Sequence, residues 1–343
     1  MDYVTIMQQL KSREYSPLYL VYGTENFLIE SIQKTLIENV LSPDEMDVNL
    51  SIYDLDEVPV QIVMEDAETL PFFGDKKVII AKNASFFKAK PESIVEHQIE
   101  TLEHYLENPS DLSIVLFLAP YEKIDERKKI VKGFKKHGVV VPCEPLKEHD
   151  VKKWIDREAK QLNLRLDDQI PELLITENGV NLMSIGNEIR KMGLYAEGDY
   201  ITLKDAEKVV SRTREASALK MVDLLMNQQV VQAIEWFKDL MKQNEEPIAL
   251  LALVAYQYRI MLQSKILRAK GYHQSQIAQQ LKVHPFVVKM ALQRERRFSK
   301  ESLHRAMDLI AETDATIKRG IMEPVLAFEL MIMKLAQTTE EKI

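Results

Sequence analysis

Short, continuous apolar runs at 18–22, 77–81, 113–118 and 138–141 constrain this chain more than any other feature. They are too short for helices, and within Lys77-Val78-Ile79-Ile80-Ala81 and Ser113-Ile114-Val115-Leu116-Phe117-Leu118 every residue after the first is apolar. Such runs are strands buried on both faces, the pattern of a parallel sheet. Asn49-Leu50-Ser51-Ile52-Tyr53 adds a fifth strand. Segments of helical period at 27–39, 60–68, 94–107 and 123–136 alternate with them, so the first part of the chain reads as α/β with helices on both faces.

The first strand runs through Gly23-Thr24-Glu25-Asn26 into a helix, which is where a nucleotide-binding protein places its phosphate loop. The chemistry of that loop is missing. The sequence contains no Gly-Lys dipeptide, and Glu25 repels phosphate. The strand at 77–81 ends in Lys82-Asn83-Ala84, where a magnesium-holding strand ends in acids. The expected architecture is that of an ATPase without nucleotide binding.

Pro142-Cys143-Glu144-Pro145 marks a boundary. Beyond it the periodicity is helical. A small three- or four-helix segment runs to about 212. Seven helices then follow at 216–227, 230–243, 246–270, 274–281, 285–295, 299–318 and 322–336, a bundle. Methionines at 221, 226, 241, 261, 290, 307, 322, 331 and 333 read as packing.

A length of 343 residues favours two or three domains. Hydrophobic content of 46% with 29% charged residues fits a soluble globular protein. No apolar run approaches the length that crosses a bilayer. Met1-Asp2-Tyr3-Val4 lacks the basic segment and apolar core of a signal peptide, so a cytoplasmic location is expected. The lone Cys143 excludes an internal disulfide and stands beside two prolines without a histidine. Histidines are scattered, and His284 before Pro285 reads as a turn residue. No metal, cofactor or catalytic motif is present, so autonomous catalysis is not expected.

Net charge is −8, which gives no global pull toward nucleic acid. Residues 259–305 nevertheless carry eleven Lys and Arg against Glu295 and Glu301, a local excess of 11 − 2 = +9. Within them, 275–289 resembles a helix-turn-helix whose second helix carries Lys289, Arg294, Arg296 and Arg297. A DNA-binding regulator using 275–297 is therefore one candidate function, with these four residues as possible DNA contacts. Two ordinary bundle helices with solvated ends are the alternative.

The connection between the helix at 60–68 and the strand at 77–81 holds Leu70-Pro71-Phe72-Phe73-Gly74. Pro71 fixes its own φ and keeps Leu70 out of the helical region. Connections run over the surface, so these side chains are candidates for an exposed apolar anchor. Alternatively, Phe72 and Phe73 fold back as a lid on the core.

Taken in order, several stretches resemble one family. They are Pro17-Leu18-Tyr19-Leu20-Val21-Tyr22-Gly23, Phe27-Leu28-Ile29-Glu30, Thr69-Leu70-Pro71-Phe72-Phe73, Asp125-Glu126-Arg127-Lys128-Lys129, Asn187-Glu188-Ile189-Arg190-Lys191-Met192, Tyr256-Gln257-Tyr258-Arg259 and Asp314-Ala315-Thr316-Ile317-Lys318-Arg319-Gly320. The sequence resembles the delta subunit of bacterial DNA polymerase III, a clamp-loader component, in its Gram-positive form. The resemblance implies an AAA+-like parallel α/β domain at 1–142, a small helical lid domain at 143–212 and a helical collar domain at 213–343. It implies clamp binding through Leu70, Pro71, Phe72 and Phe73, and no ATP binding by this chain. The family's usual pair at that place is Leu-Phe; Phe72-Phe73 keeps its size and apolarity. The implied partners are the beta sliding clamp, the ATP-hydrolysing tau/gamma subunits, the delta-prime subunit and, through the complex, primer-template DNA. The hetero-oligomer belongs to the polymerase holoenzyme.

Overall fold

The computed structural model describes residues 1–91, 94–196, 198–211 and 213–338, without the side chains of Glu215 and Thr338. The chain forms two compact units, Met1–Pro145 and Leu146–Ile343. Of the expected boundaries, residue 212 and the end of the 213–343 segment (339–343) lie outside the described residues.

The first unit is built on strands β1 (Leu18–Gly23), β2 (Leu50–Asp54), β3 (Lys77–Lys82), β4 (Ser113–Ala119) and β5 (Val139–Cys143). Their order is β2-β3-β4-β1-β5, and every pairing is parallel. Leu50 pairs with Val78, Val78 with Ile114, Leu18 with Val115, and Tyr19 with Val139. All seven residues of β4, the middle strand, are buried, which explains its unbroken apolar sequence.

Six helices flank the sheet: α1 (Tyr3–Lys11), α2 (Asn26–Val40), α3 (Pro43–Asn49), α4 (Val60–Ala67), α5 (Ile99–Glu107) and α6 (Lys129–His137). Apolar residues of α4, α5 and α6 share one core with Leu18, Leu20, Ile79, Val115 and Phe117. On the opposite face Tyr19, Val21, Val78, Ile80, Ile114 and Leu116 are equally buried, and α2 packs against β1, β3 and β5. The expected α/β class, with both faces covered, is thus what the unit has. Phe87, Phe117 and Phe134 pack edge to face at its centre, with ring centroids 5.5–6.0 Å apart.

Two helices start later than their periodicity suggests. α5 begins at Ile99 rather than residue 94, because His97 leaves the helix to accept the Val60 N–H at 3.2 Å and to pack on Phe86. α6 begins at Lys129 rather than 123, because Asp125 closes a local turn with Arg127 and donates its own N–H to the Phe87 carbonyl. Helices α1 and α3 were not expected from the sequence.

The second unit opens with α7 (Glu148–Gln161), α8 (Ile170–Asn178), α9 (Leu182–Tyr195) and α10 (Leu203–Val209). Two strands of two residues, β6 (Arg165–Leu166) and β7 (Tyr200–Ile201), pair in parallel beside them; they are too short to show a period. Seven more helices follow: α11 (Arg214–Met226), α12 (Val230–Lys242), α13 (Pro247–Ala269), α14 (Gln274–Leu281), α15 (Pro285–Arg294), α16 (Lys300–Lys318) and α17 (Pro324–Thr338). These are the seven expected helices, within a few residues at each end. One core drawn from 218–335 unites them around α13, with Phe237 stacked on Phe328 at 4.3 Å. Met221, Met261 and Met331 are fully inside it, whereas Met333 is exposed. Among the described residues no helix is long and apolar enough to cross a membrane.

Candidate functional site

The connection from α4 to β3 leaves its apolar side chains in solvent. Leu70 is 74% exposed, Phe72 81% and Phe73 44%. The two rings meet edge-on, 6.0 Å apart, so neither folds back into the core as a lid. Three large apolar groups clustered on one exposed tip make it the candidate contact site.

The tip stands on a polar frame. Lys77, the first residue of β3, is buried and sends its ammonium back beneath the connection. It donates to Asp66 Oδ1 at 2.7 Å, the Asp66 carbonyl at 3.0 Å and Thr69 Oγ1 at 2.8 Å. Ser113 at the start of β4 donates to the Ala67 carbonyl at 2.6 Å. The end of α4 is thereby held before Leu70 emerges. On the far side, Gly74 has φ +78°, a backbone state that side chains disfavour, and a Cβ there would meet Glu45 Oε1 at 1.9 Å.

The turn from β1 to α2, the geometric counterpart of a phosphate loop, is closed. Gly23 has φ +136°, and a Cβ on it would lie 2.1 Å from the Cys143 carbonyl oxygen. That oxygen accepts the Glu25 N–H at 3.0 Å. Glu25 flanks the start of α2, and burial raises its carboxyl above the usual range. At the end of β3, Asn83 donates to both oxygens of Asp54 at 3.0 Å. Cys143 is buried, and its thiol is pushed up to about 12. Among the described residues no group of three or more His, Cys, Asp or Glu could hold a metal.

The helix-turn-helix stretch consists of α14 and α15 joined through Lys282, whose φ of +54° makes the turn. Ile277, Ala278 and Val288 form a small core between them. Three of its four basic candidates are engaged inside the unit. Lys289 pairs with Glu148, Arg294 grips both oxygens of Asp223 at 2.7 and 2.8 Å, and Arg297 donates to Asn227 at 2.6 Å. Arg296 is exposed. Glu295 between them is fully buried, 2.8 Å from Lys265 and 2.7 Å from Arg268. Part of the local positive excess is therefore spent on an internal ion cluster. His284 caps α15: its Nδ1 accepts the Phe286 N–H at 3.1 Å and its Nε2 faces the Leu146 carbonyl at 3.0 Å. It is a turn residue, as its place before proline suggested.

Comparison with known proteins covers both units. The model of the family described as "DNA polymerase III, delta subunit" matches residues 19–144, and that of the "DNA polymerase III delta subunit, C-terminal domain" matches 215–335. The chain is 34% identical over 338 residues to DNA polymerase III subunit delta of Bacillus subtilis (strain 168), covering 98% of this chain and 97% of that one. It is 23% identical over 239 residues to the same subunit of Escherichia coli (strain K12), covering 69% and 68%. The solved structure of the Bacillus subtilis DNA clamp loader delta protein (YqeN) superposes with a TM-score of 0.86 at 34% identity, over 98% of this chain and 99% of that one. A five-stranded parallel α/β unit followed by a helical unit, matched along nearly its whole length, defines a subunit of DNA polymerase III. The chain belongs to the delta subunit family.

Proposed function

We propose that this chain is a clamp-loader subunit that docks on the beta sliding clamp through Leu70, Pro71, Phe72 and Phe73 and favours the open ring. The exposed tip on its polar frame carries this reading. Burying such side chains contributes roughly 1.5–3 kcal/mol each, so the three together suffice for a small hot spot. Neighbouring helix surface then presses on the clamp's subunit interface.

The chain binds no ATP in this reading, because its β1–α2 turn offers phosphate a carboxylate and a blocked glycine instead of a cradle and a lysine. Energy comes from ATP-hydrolysing tau/gamma subunits, which shift its access to the clamp only through contacts that differ between their nucleotide states. The helices from 213 onward are the collar that joins these subunits and delta-prime, and 143–212 is the lid-like segment between. The assembly works in the cytoplasm on primer-template DNA. Catalysis belongs to the holoenzyme, not to this chain. Residues 275–297 are poorly suited to reading a DNA groove, because Lys289, Arg294 and Arg297 already serve partners within the unit.

The test is a titration of clamp with Leu70→Ala combined with Phe73→Ala. Clamp binding is expected to be abolished while folding and assembly with the other subunits persist. An unchanged clamp affinity would overturn the proposal, and measurable ATP binding by the purified chain would overturn its nucleotide-free part.

A further inference from the structure

Asn49 ends α3 and is only 1% exposed. A buried side-chain amide is stable only when both its halves find partners. Both partners here lie in the tip. Asn49 Oδ1 accepts the Phe72 N–H at 2.8 Å, and Asn49 Nδ2 donates to the Phe73 carbonyl. The other end of the same short helix also reaches the tip. Glu45 Oε2 is fixed by the Ser42 N–H at 2.8 Å and the Ser42 hydroxyl at 2.7 Å, and the same carboxylate lies against Gly74. α3 thus flanks the connection: Asn49 holds its apex, and the Glu45 carboxylate leaves no room for a side chain at Gly74, its exit.

We propose that Asn49 is a positioning residue for clamp docking, which locks the Phe72–Phe73 backbone so that both rings project outward before the partner arrives. The inference rests on the clamp-docking reading above. A tip without the lock has to order several backbone dihedrals on binding, at a cost that reduces affinity. Asn49 touches no partner itself; it acts through the backbone of two residues that do.

The experiment uses the full chain, unaltered and as Asn49→Ala and Asn49→Leu. It measures amide hydrogen exchange at Phe72 and the Kd for the beta sliding clamp, with a linear peptide of residues 68–75 as the reference for an unfixed tip. Asn49→Ala is expected to speed exchange at Phe72, to leave the slow exchange of β3 and β4 unchanged, and to weaken clamp binding about tenfold, toward the peptide. Asn49→Leu keeps the side-chain volume in the buried site but has neither the acceptor for the Phe72 N–H nor the donor for the Phe73 carbonyl, so it shifts both readouts in the same direction. It substitutes for the alanine variant if that one does not fold. Faster exchange with unchanged affinity overturns the inference, and so does unchanged exchange at Phe72. Should the Leu70→Ala, Phe73→Ala chain still bind clamp, the docking reading itself fails. Should that chain lose binding while the Asn49 variants keep it, only the lock fails.

Discussion

The Lys77 ammonium and the Asp66 carboxylate form an ion pair of 2.7 Å whose lysine side chain is 7% exposed. Breaking a fully buried pair costs about 3–5 kcal/mol; here the Asp66 carboxylate, 21% exposed, would lose its cation at the low end of that range. Lys77→Met is therefore expected to lower unfolding stability by roughly 3 kcal/mol in denaturant titrations. It should also speed amide exchange across 68–76, because the same ammonium holds the end of α4 and Thr69.

The tip itself behaves in the opposite way. Leu70 and Phe72 contribute almost nothing to the core, so Leu70→Ala or Phe72→Ala should each change stability by less than about 0.5 kcal/mol. The loss should appear in clamp binding, at about 2 kcal/mol or more for a central anchor. Calorimetric unfolding and clamp titration on the same preparations separate the two effects.

Arg294 and Arg296 flank Glu295 but should respond differently. Arg294 is largely buried and two-pronged on Asp223. Arg294→Ala is expected to cost about 1–3 kcal/mol of stability. Arg296→Ala should leave thermal unfolding unchanged. Salt-dependent affinity for primer-template DNA, measured on both variants, then reports whether the exposed residue touches phosphate.

Burial holds His97 and His284 below the ordinary value of 6.5, and both use a neutral Nδ1 to accept a backbone N–H. The unfolded chain gains protons near pH 6.5 that the folded chain does not yet accept. Stability should accordingly be full above that pH and decline as the medium is acidified below it. His284→Asn keeps a residue suited to an N-cap and should flatten this decline, as read from denaturation midpoints across the acid range.

The Cys143 thiol, raised to about 12 by burial, should resist alkylation in the native chain at neutral pH. Modification should follow the unfolding transition, which makes the residue a reporter of the first unit, read by mass spectrometry.

Much of the fold was legible because its signals are local. β1 to β5 fall within a residue or two of their apolar runs, and α11 to α17 within a few residues of their periods. What escaped is either short or distant. α3 spans seven residues without an apolar stripe, although Ser42-Pro43-Asp44-Glu45 carries a capping signature that could have revealed it. The role of Asn49 depends on partners 23 and 24 residues further along the chain. Glu295 looks like a stray acid in a basic stretch until Lys265 closes on it from 30 residues away. The late starts of α5 and α6 come from His97 and Asp125 bonding to other elements, which outweighs local propensity. Pro71 and Gly74 mark the tip as a connection in the sequence, but its exposure depends on how α3 and β3 support it, which no window of sequence reveals.

Gly23 is pressed so closely on the end of β5 that the strand-to-helix corner has no room to widen. Grafting a glycine-lysine motif into this corner would therefore not by itself create a phosphate cradle. The segment around Cys143 would have to be redrawn as well, so the backbone of two strands, and not side chains alone, stands against such a graft.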